Sequence, residues 1–205
     1  MEIRPSTIYI IFQSDLSLTK HISKTVQTSF FHIRQIRQIR QSLNTSSAII
    51  LANSLVTSRL DYCNSLYYNL PSSTLSRLQR VQNSLARVVC PHVKRHHHIT
   101  PILRSLHWLP ISKRIEFKIA TLTFNVLLHH QPSYLHQLII PCSSAYTTRS
   151  VNKHLLQMPF IRSSNGRRSF FFAAPTIWNS LPLHIRSLQS ISSFRSALKH
   201  YLFPP

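Results

Sequence analysis

Acidic side chains are nearly missing from this chain, and the shortage limits it more than anything it contains. Glu2, Asp15, Asp61 and Glu116 are its only carboxylates in 205 residues, against 24 lysines and arginines, for a formal net charge of +20. Such a charge opposes compaction. Two-metal phosphoryl chemistry needs clustered carboxylates, and paired-carboxylate acid–base catalysis needs two in one cleft. No two of these four lie close in sequence. The single glycine, Gly166, excludes a glycine-rich phosphate cradle, which needs several residues free to take positive φ. No self-sufficient catalytic site and no cofactor are therefore expected. What so basic a surface attracts is a polyanion, through phosphate neutralisation and counterion release. Nucleic acid, RNA or DNA without sequence preference, is the expected partner, at a scale of roughly 10⁻⁴ to 10⁻⁶ M. An interaction or structural protein that meets acidic partners or membranes is the alternative.

A core is nonetheless affordable, because 43% of the residues are hydrophobic, including 11 Phe, 7 Tyr and 2 Trp. The length fits one medium domain or two small ones. Three widely spaced cysteines, Cys63, Cys90 and Cys142, suit reduced thiols better than a disulfide framework. No apolar run approaches the ~18 residues of a membrane span. The patch Ile8–Phe12 is too short for a secretory core, so an intracellular location, nuclear or cytoplasmic, is expected.

Along the chain, apolar residues recur at three- and four-residue steps between proline breaks, which predicts helices. Ile8 to Phe12 reads as a strand. A first helix is predicted from Lys20 to about Leu43, with Val26, Phe30, Ile33 and Ile36 on one stripe. It holds the repeat Ile33-Arg34-Gln35, Ile36-Arg37-Gln38, Ile39-Arg40-Gln41, a basic ridge beside an apolar seam. A second helix is predicted over Ser46–Tyr68, with Ile49, Ala52, Val56, Leu60, Cys63 and Tyr67 facing the core and Cys63 a buried small hydrophobe. A third follows Pro71 and stops before Pro91. Thr100–Leu106, Ser112–His129, Ser133–Ile140 and Ser192–Phe203 complete the helices. Residues 141–166 turn Ser/Thr/Asn-rich, with a strand expected near Leu155, Leu156 and Phe160. Phe170–Trp178 is aromatic-rich and interrupted by Pro175.

Candidate sites are few. Cys90, His92, His96, His97 and His98 lack the second cysteine and the spacing of a structural zinc site, and no metal is expected there. No His-x-Asp spacing supports an iron-oxygenase triad. Basic residues remain: Lys20, Lys24, Arg34, Arg37, Arg40, Arg77, Arg80, Lys94, Arg95, Lys113, Arg114, Arg167 and Arg168 are the candidate nucleic-acid contacts. The aromatics beside them in Phe30-Phe31-His32-Ile33-Arg34 and Arg167-Arg168-Ser169-Phe170 are expected in the core.

Several ordered motifs carry a resemblance. Ser58-Arg59-Leu60-Asp61-Tyr62-Cys63-Asn64-Ser65-Leu66 leads into Leu70-Pro71. Leu78-Gln79-Arg80-Val81-Gln82-Asn83, His98-Ile99-Thr100-Pro101-Ile102-Leu103 and Leu106-His107-Trp108-Leu109-Pro110 follow. Ala174-Pro175, Ile177-Trp178-Asn179-Ser180-Leu181-Pro182 and Leu198-Lys199-His200-Tyr201-Leu202-Phe203 close the series. Together they resemble the C-terminal portion of the reverse-transcriptase polyprotein of vertebrate non-LTR (LINE-type) retrotransposons, over about residues 8–203. The resemblance implies a mainly α fold: a helical thumb-like bundle with a smaller α+β C-terminal part and few short strands. Residues 1–18 would be a strand remnant beside a palm, 19–140 the thumb-like region and 141–205 a loop-rich, then helical extension. A thumb of that kind holds a template–primer duplex by its backbone. The family's Phe/Tyr-x-Asp-Asp motif lies upstream of this region, and neither it nor an endonuclease domain occurs here, so no catalysis is implied. Asn69 and Tyr9 stand where the family usually has glycine, which suggests a decaying copy. Residues 8–40 also resemble a short N-terminal segment of AlkB-homologue tRNA-modifying enzymes, but no iron site or methyl-donor loop accompanies it.

Overall fold

The computed structural model describes residues 9–92, 97–142 and 154–203. Helix accounts for 68% of them, and the β-structure among them is one isolated antiparallel bridge, Pro141 with Leu156. Tyr9 to Phe12 form no strand; Ile8 lies outside the described residues. Contacts group the chain into two compact units, residues 1–64 with 70–111, and 65–69 with 112–205. The division falls inside the 19–140 span expected to be one helical region.

In the first unit, α1 (Thr19–Ile39) buries Ile22, Ile33 and Ile36 on one stripe. Three-residue steps rotate backward around a helix, so the third isoleucine of the repeat, Ile39, leaves the seam and is 48% exposed. The return run is α2 (Thr45–Ala52), a π-helical turn (Asn53–Thr57) and α3 (Ser58–Asp61). Asn44 caps α2, its Oδ1 accepting from the Ser47 amide at 2.7 Å. Ala48, Ala52, Val56 and Leu60 are buried in strict steps of four. Such steps outrun a turn of 3.6 residues, and the wider π turn takes up the drift. The continuous helix predicted to Tyr68 instead stops at Asp61. Cys63 then adopts φ 51 and is exposed, correcting its expected burial; a left-handed residue breaks the stripe before that side chain can join it.

Next, α4 (Ser72–Val89) packs along α1. Arg77 on its first turns donates to Ser23 Oγ at 3.0 Å, and Arg40 beyond the end of α1 reaches Val88 and Val89. Those pairings make α1 and α4 parallel. After it, α5 (Thr100–Ser105) ends in a Schellman motif: the His107 amide donates to Arg104 O at 3.0 Å and the Trp108 amide to Leu103 O at 2.8 Å. His107 takes the left-handed position, φ 55, while Trp108 and Leu103 are buried together at its sides.

An amide network centred on buried Gln82 binds α4 to the segment behind α5. Gln82 Nε2 donates to Leu109 O at 2.8 Å, and the Ile111 amide donates to Gln79 Oε1 at 2.9 Å. Gln79 Nε2 in turn donates to Gln82 Oε1 and Asn83 Oδ1. Gln82 and Gln79 thus each pair a backbone group of the following segment, the buried Leu109 carbonyl and the part-buried Ile111 amide.

The second unit contains most of α6 (Ile111–His129), with α7 (Ser133–His136), α8 (Phe170–Ser180), α9 (Leu183–Arg186) and α10 (Ile191–Leu202). Phe194 stacks on Phe124 at 4.3 Å and near Trp178 at 5.9 Å between centroids. Asn179 grips the Leu156 backbone from both sides, accepting from its amide at 2.9 Å and donating to its carbonyl at 2.8 Å. Trp178 Nε1 donates to His154 O at 2.8 Å. The strand expected near Leu155 to Phe160 reduces to the bridge at Leu156, because Asn179 supplies the hydrogen bonds a neighbouring strand would. Pro175 does not interrupt α8: it sits inside the helix, held by the buried run Ala173, Ala174, Ile177 and Trp178. The helix predicted over Ser133–Ile140 ends at His136, where the Leu138 and Ile139 amides switch to three-residue bonds.

Candidate nucleic-acid interface

Helix α1 has no carboxylate anywhere along Thr19–Ile39. Successive residues rotate by about 100°, which places Lys20, Lys24, Phe31 and Arg34 within an arc of about 80° on the side opposite Ile22, Ile33 and Ile36. All four are exposed, and Arg37, also exposed, lies about 60° beyond the edge of the arc. At about 1.5 Å rise per residue the cations from Lys20 to Arg37 span about 25 Å. Phe31 is 50% exposed at the centre of this face, against its expected place in the core. Its ring meets the His32 imidazole edge-on at 5.5 Å.

The carboxylate beside this face is Asp15, in the turn before α1. Its Oδ1 accepts from the Ser17 amide at 3.0 Å. That bond is the first cause holding its pKa below the ordinary carboxylate value, with Lys20 a minor one. His21 is buried under the same turn, and burial lowers its pKa; it adds no charge to the face at neutral pH.

Other predicted contacts are turned to structural ends. Arg40 Nε and Nη2 donate to Val88 O at 3.1 Å and Val89 O at 2.9 Å, and Nη1 to Leu43 O at 2.6 Å. Its guanidinium therefore satisfies the open carbonyls at the end of α4, where a cation also suits the helix dipole. Half-buried Arg77 holds Ser23. Lys113 pairs with Glu116 at 2.9 Å. Arg114 is half-buried and engaged within the fold. Arg168 is half-buried, with Nη2 3.4 Å from Leu66 O. Arg80 and Arg167 are exposed, the latter with Nε donating to Ile161 O at 3.2 Å. Lys94 and Arg95 lie outside the described residues.

No group of three or more His, Cys, Asp or Glu side chains is placed to hold a metal among the described residues. Burial pushes the Cys90 thiol up, away from a thiolate. A cavity of about 270 Å³ in the second unit is walled by Phe124, Leu127, Leu156, Trp178 and Leu188, and its lining contains no carboxylate or thiol. No helix among the described residues is long and apolar enough to cross a membrane. Comparison with family models, curated proteins and solved structures finds no match to this chain.

Proposed function

We propose that this chain is a non-catalytic module that grips RNA or DNA by the backbone, corresponding to the thumb-like and post-polymerase part of a non-LTR reverse transcriptase. One observation carries the reading: Lys20, Lys24, Arg34 and Arg37 stand exposed along a single carboxylate-free helix. The cations from Lys20 to Arg37, spread over about 25 Å of helix, match roughly seven nucleotide steps of one strand, at about 3.4 Å each. Four acidic side chains offset four of the 24 positive charges, so counterions, or a partner's phosphates, must neutralise the other 20.

The retroelement part of the reading draws support from two places. The motifs behind the resemblance coincide with the chain's polar joints: Gln79 and Gln82 at Leu109 and Ile111, and Asn179 at Leu156. Asn69, where the family usually has glycine, has φ 56, a left-handed conformation asparagine tolerates better than most. A glycine would suit this backbone equally well, in keeping with the resemblance.

Salt dependence tests the function. Each phosphate contact contributes a slope of about −0.7 to −0.9 in log K against log [salt], so the four α1 cations account for about −2.8 to −3.6. The combined variant K20Q/K24Q/R34Q/R37Q should lose that much slope on any nucleic-acid sequence. Binding that is flat with salt, or unchanged in the variant, refutes the proposal. Stronger capture by anionic vesicles than by competing RNA would favour a membrane or acidic-protein partner instead.

A further inference from the structure

Beyond the cation face, the second unit displays an aromatic ring that its own packing does not use. Phe160 is 85% exposed and its neighbour Met158 50%. Arg162 places its guanidinium carbon over the Phe160 ring, 5.5 Å from the centroid, within cation–π range. The turn behind is closely tied. Arg167 and Gly166 amides donate to Ser163 O and Ser163 Oγ, both at 3.1 Å, and Arg167 Nε holds Ile161 O. The chain's one glycine serves this turn: a Cβ at Gly166 would stand 2.6 Å from Ile161 Cγ2 and 2.7 Å from Ser163 Oγ. Phe160 is therefore presented with the exposed Arg162 at its ring and the exposed Arg167 tied to the backbone of the next residue, Ile161, on a hydrogen-bonded turn. No acidic side chain occurs after Glu116 in the sequence, so the segment itself carries only positive charge.

We propose that Phe160 is a stacking platform for one unpaired nucleobase, with Arg162 and Arg167 on the flanking phosphates. The inference rests on the nucleic-acid reading above and adds a class of substrate to it: single-stranded rather than duplex. The guanidinium covers one face of the ring and leaves the other for a base, whose π-face stacks whatever its identity. A membrane fits less well. Inserting the ring would draw the Arg162 charge out of water with it, whereas a stacked base leaves both guanidiniums at solvated phosphates.

The test uses the whole chain with four probes: a short mixed-sequence single-stranded RNA, the duplex of that sequence, an abasic single strand, and phosphatidylserine vesicles. Phe160→Ala should weaken single-stranded RNA roughly 5- to 150-fold, the range for losing one stacked base. Duplex and abasic affinities should stay as in wild type, and Phe160→Tyr should restore binding. Unchanged single-strand affinity in Phe160→Ala overturns the subsite, as does an equal loss on the abasic strand and the duplex. So does a loss confined to vesicles. If wild type binds RNA and only Phe160→Ala behaves unexpectedly, the subsite alone fails. If wild type binds no nucleic acid, the underlying reading fails as well.

Discussion

Replacing His107 by glycine isolates the cost of a side chain at a left-handed helix end. His107 closes α5 at φ 55, and its side chain is exposed, so the substitution removes little packing. An L-residue in this region costs about 1–2 kcal/mol. Glycine escapes that cost but gives up about 0.5–1 kcal/mol in unfolded-state entropy. His107→Gly should thus stabilise the first unit by about 0.5–1 kcal/mol. For a domain of roughly a hundred residues this raises Tm by about 2–8 °C. His107→Ala keeps the Cβ and should give no such gain, which separates backbone strain from loss of the imidazole. The chain has two tryptophans, Trp108 beside the substitution and Trp178 in the other unit. Urea unfolding followed by Trp108 fluorescence in a Trp178→Phe background reads the right unit. A glycine variant no more stable than the alanine variant would show that the Schellman end of α5 carries no strain.

Three further outcomes follow from the same geometry. Gln82→Ala should cost about 2–4 kcal/mol, because the buried Leu109 carbonyl loses its donor and a void opens; urea titration measures it, and a cost below about 1 kcal/mol would mean the network is dispensable. Asn179→Ala removes both bonds to the Leu156 backbone, and hydrogen exchange at the Leu156 amide should speed at least tenfold, by about 1.4 kcal/mol or more; protection equal to wild type argues against the clamp. Burial lowers the His21 pKa from its ordinary 6.5, so as pH falls the unfolded state takes up that proton first. The stability His21 contributes is complete above about pH 6.5 and is lost as pH falls through the lower folded value. Compared with His21→Gln, wild type should lose more stability between pH 7 and 5; parallel pH profiles would refute this.

Helices were legible where a local pattern decides them. Pro71 and Pro91 bracket a repeat that folds as Ser72–Val89, and the isoleucines of the Ile-Arg-Gln repeat drift off the seam as three-residue steps require. What the sequence hid depends on partners far along the chain. Arg40 looks like one more surface cation in its repeat, yet its acceptors at Val88 and Val89 lie 48 and 49 residues away. Cys63 fits the buried stripe by spacing alone, and only a left-handed turn removes it. Phe160 sits beside Pro159 in a polar stretch, which suggested a strand; nothing local says its ring faces water. The α1 face was half visible: its cations stand in the repeat and before it, but Phe31 falls on their side only once Ile22, Ile33 and Ile36 choose the other.

That face has a thermodynamic consequence for α1 itself. Lys20 and Lys24 are four residues apart and Arg34 and Arg37 three, spacings at which like charges destabilise a helix by about 0.2–0.5 kcal/mol per pair. Added salt should therefore firm the helix and, on the proposed reading, loosen its hold on a polyanion, two opposite responses to one screening effect. A bound phosphate backbone would play the part of the acidic residues that α1 lacks. On the proposed reading, helix and phosphate backbone would form a single charge-balanced unit, the helix more stable bound than alone.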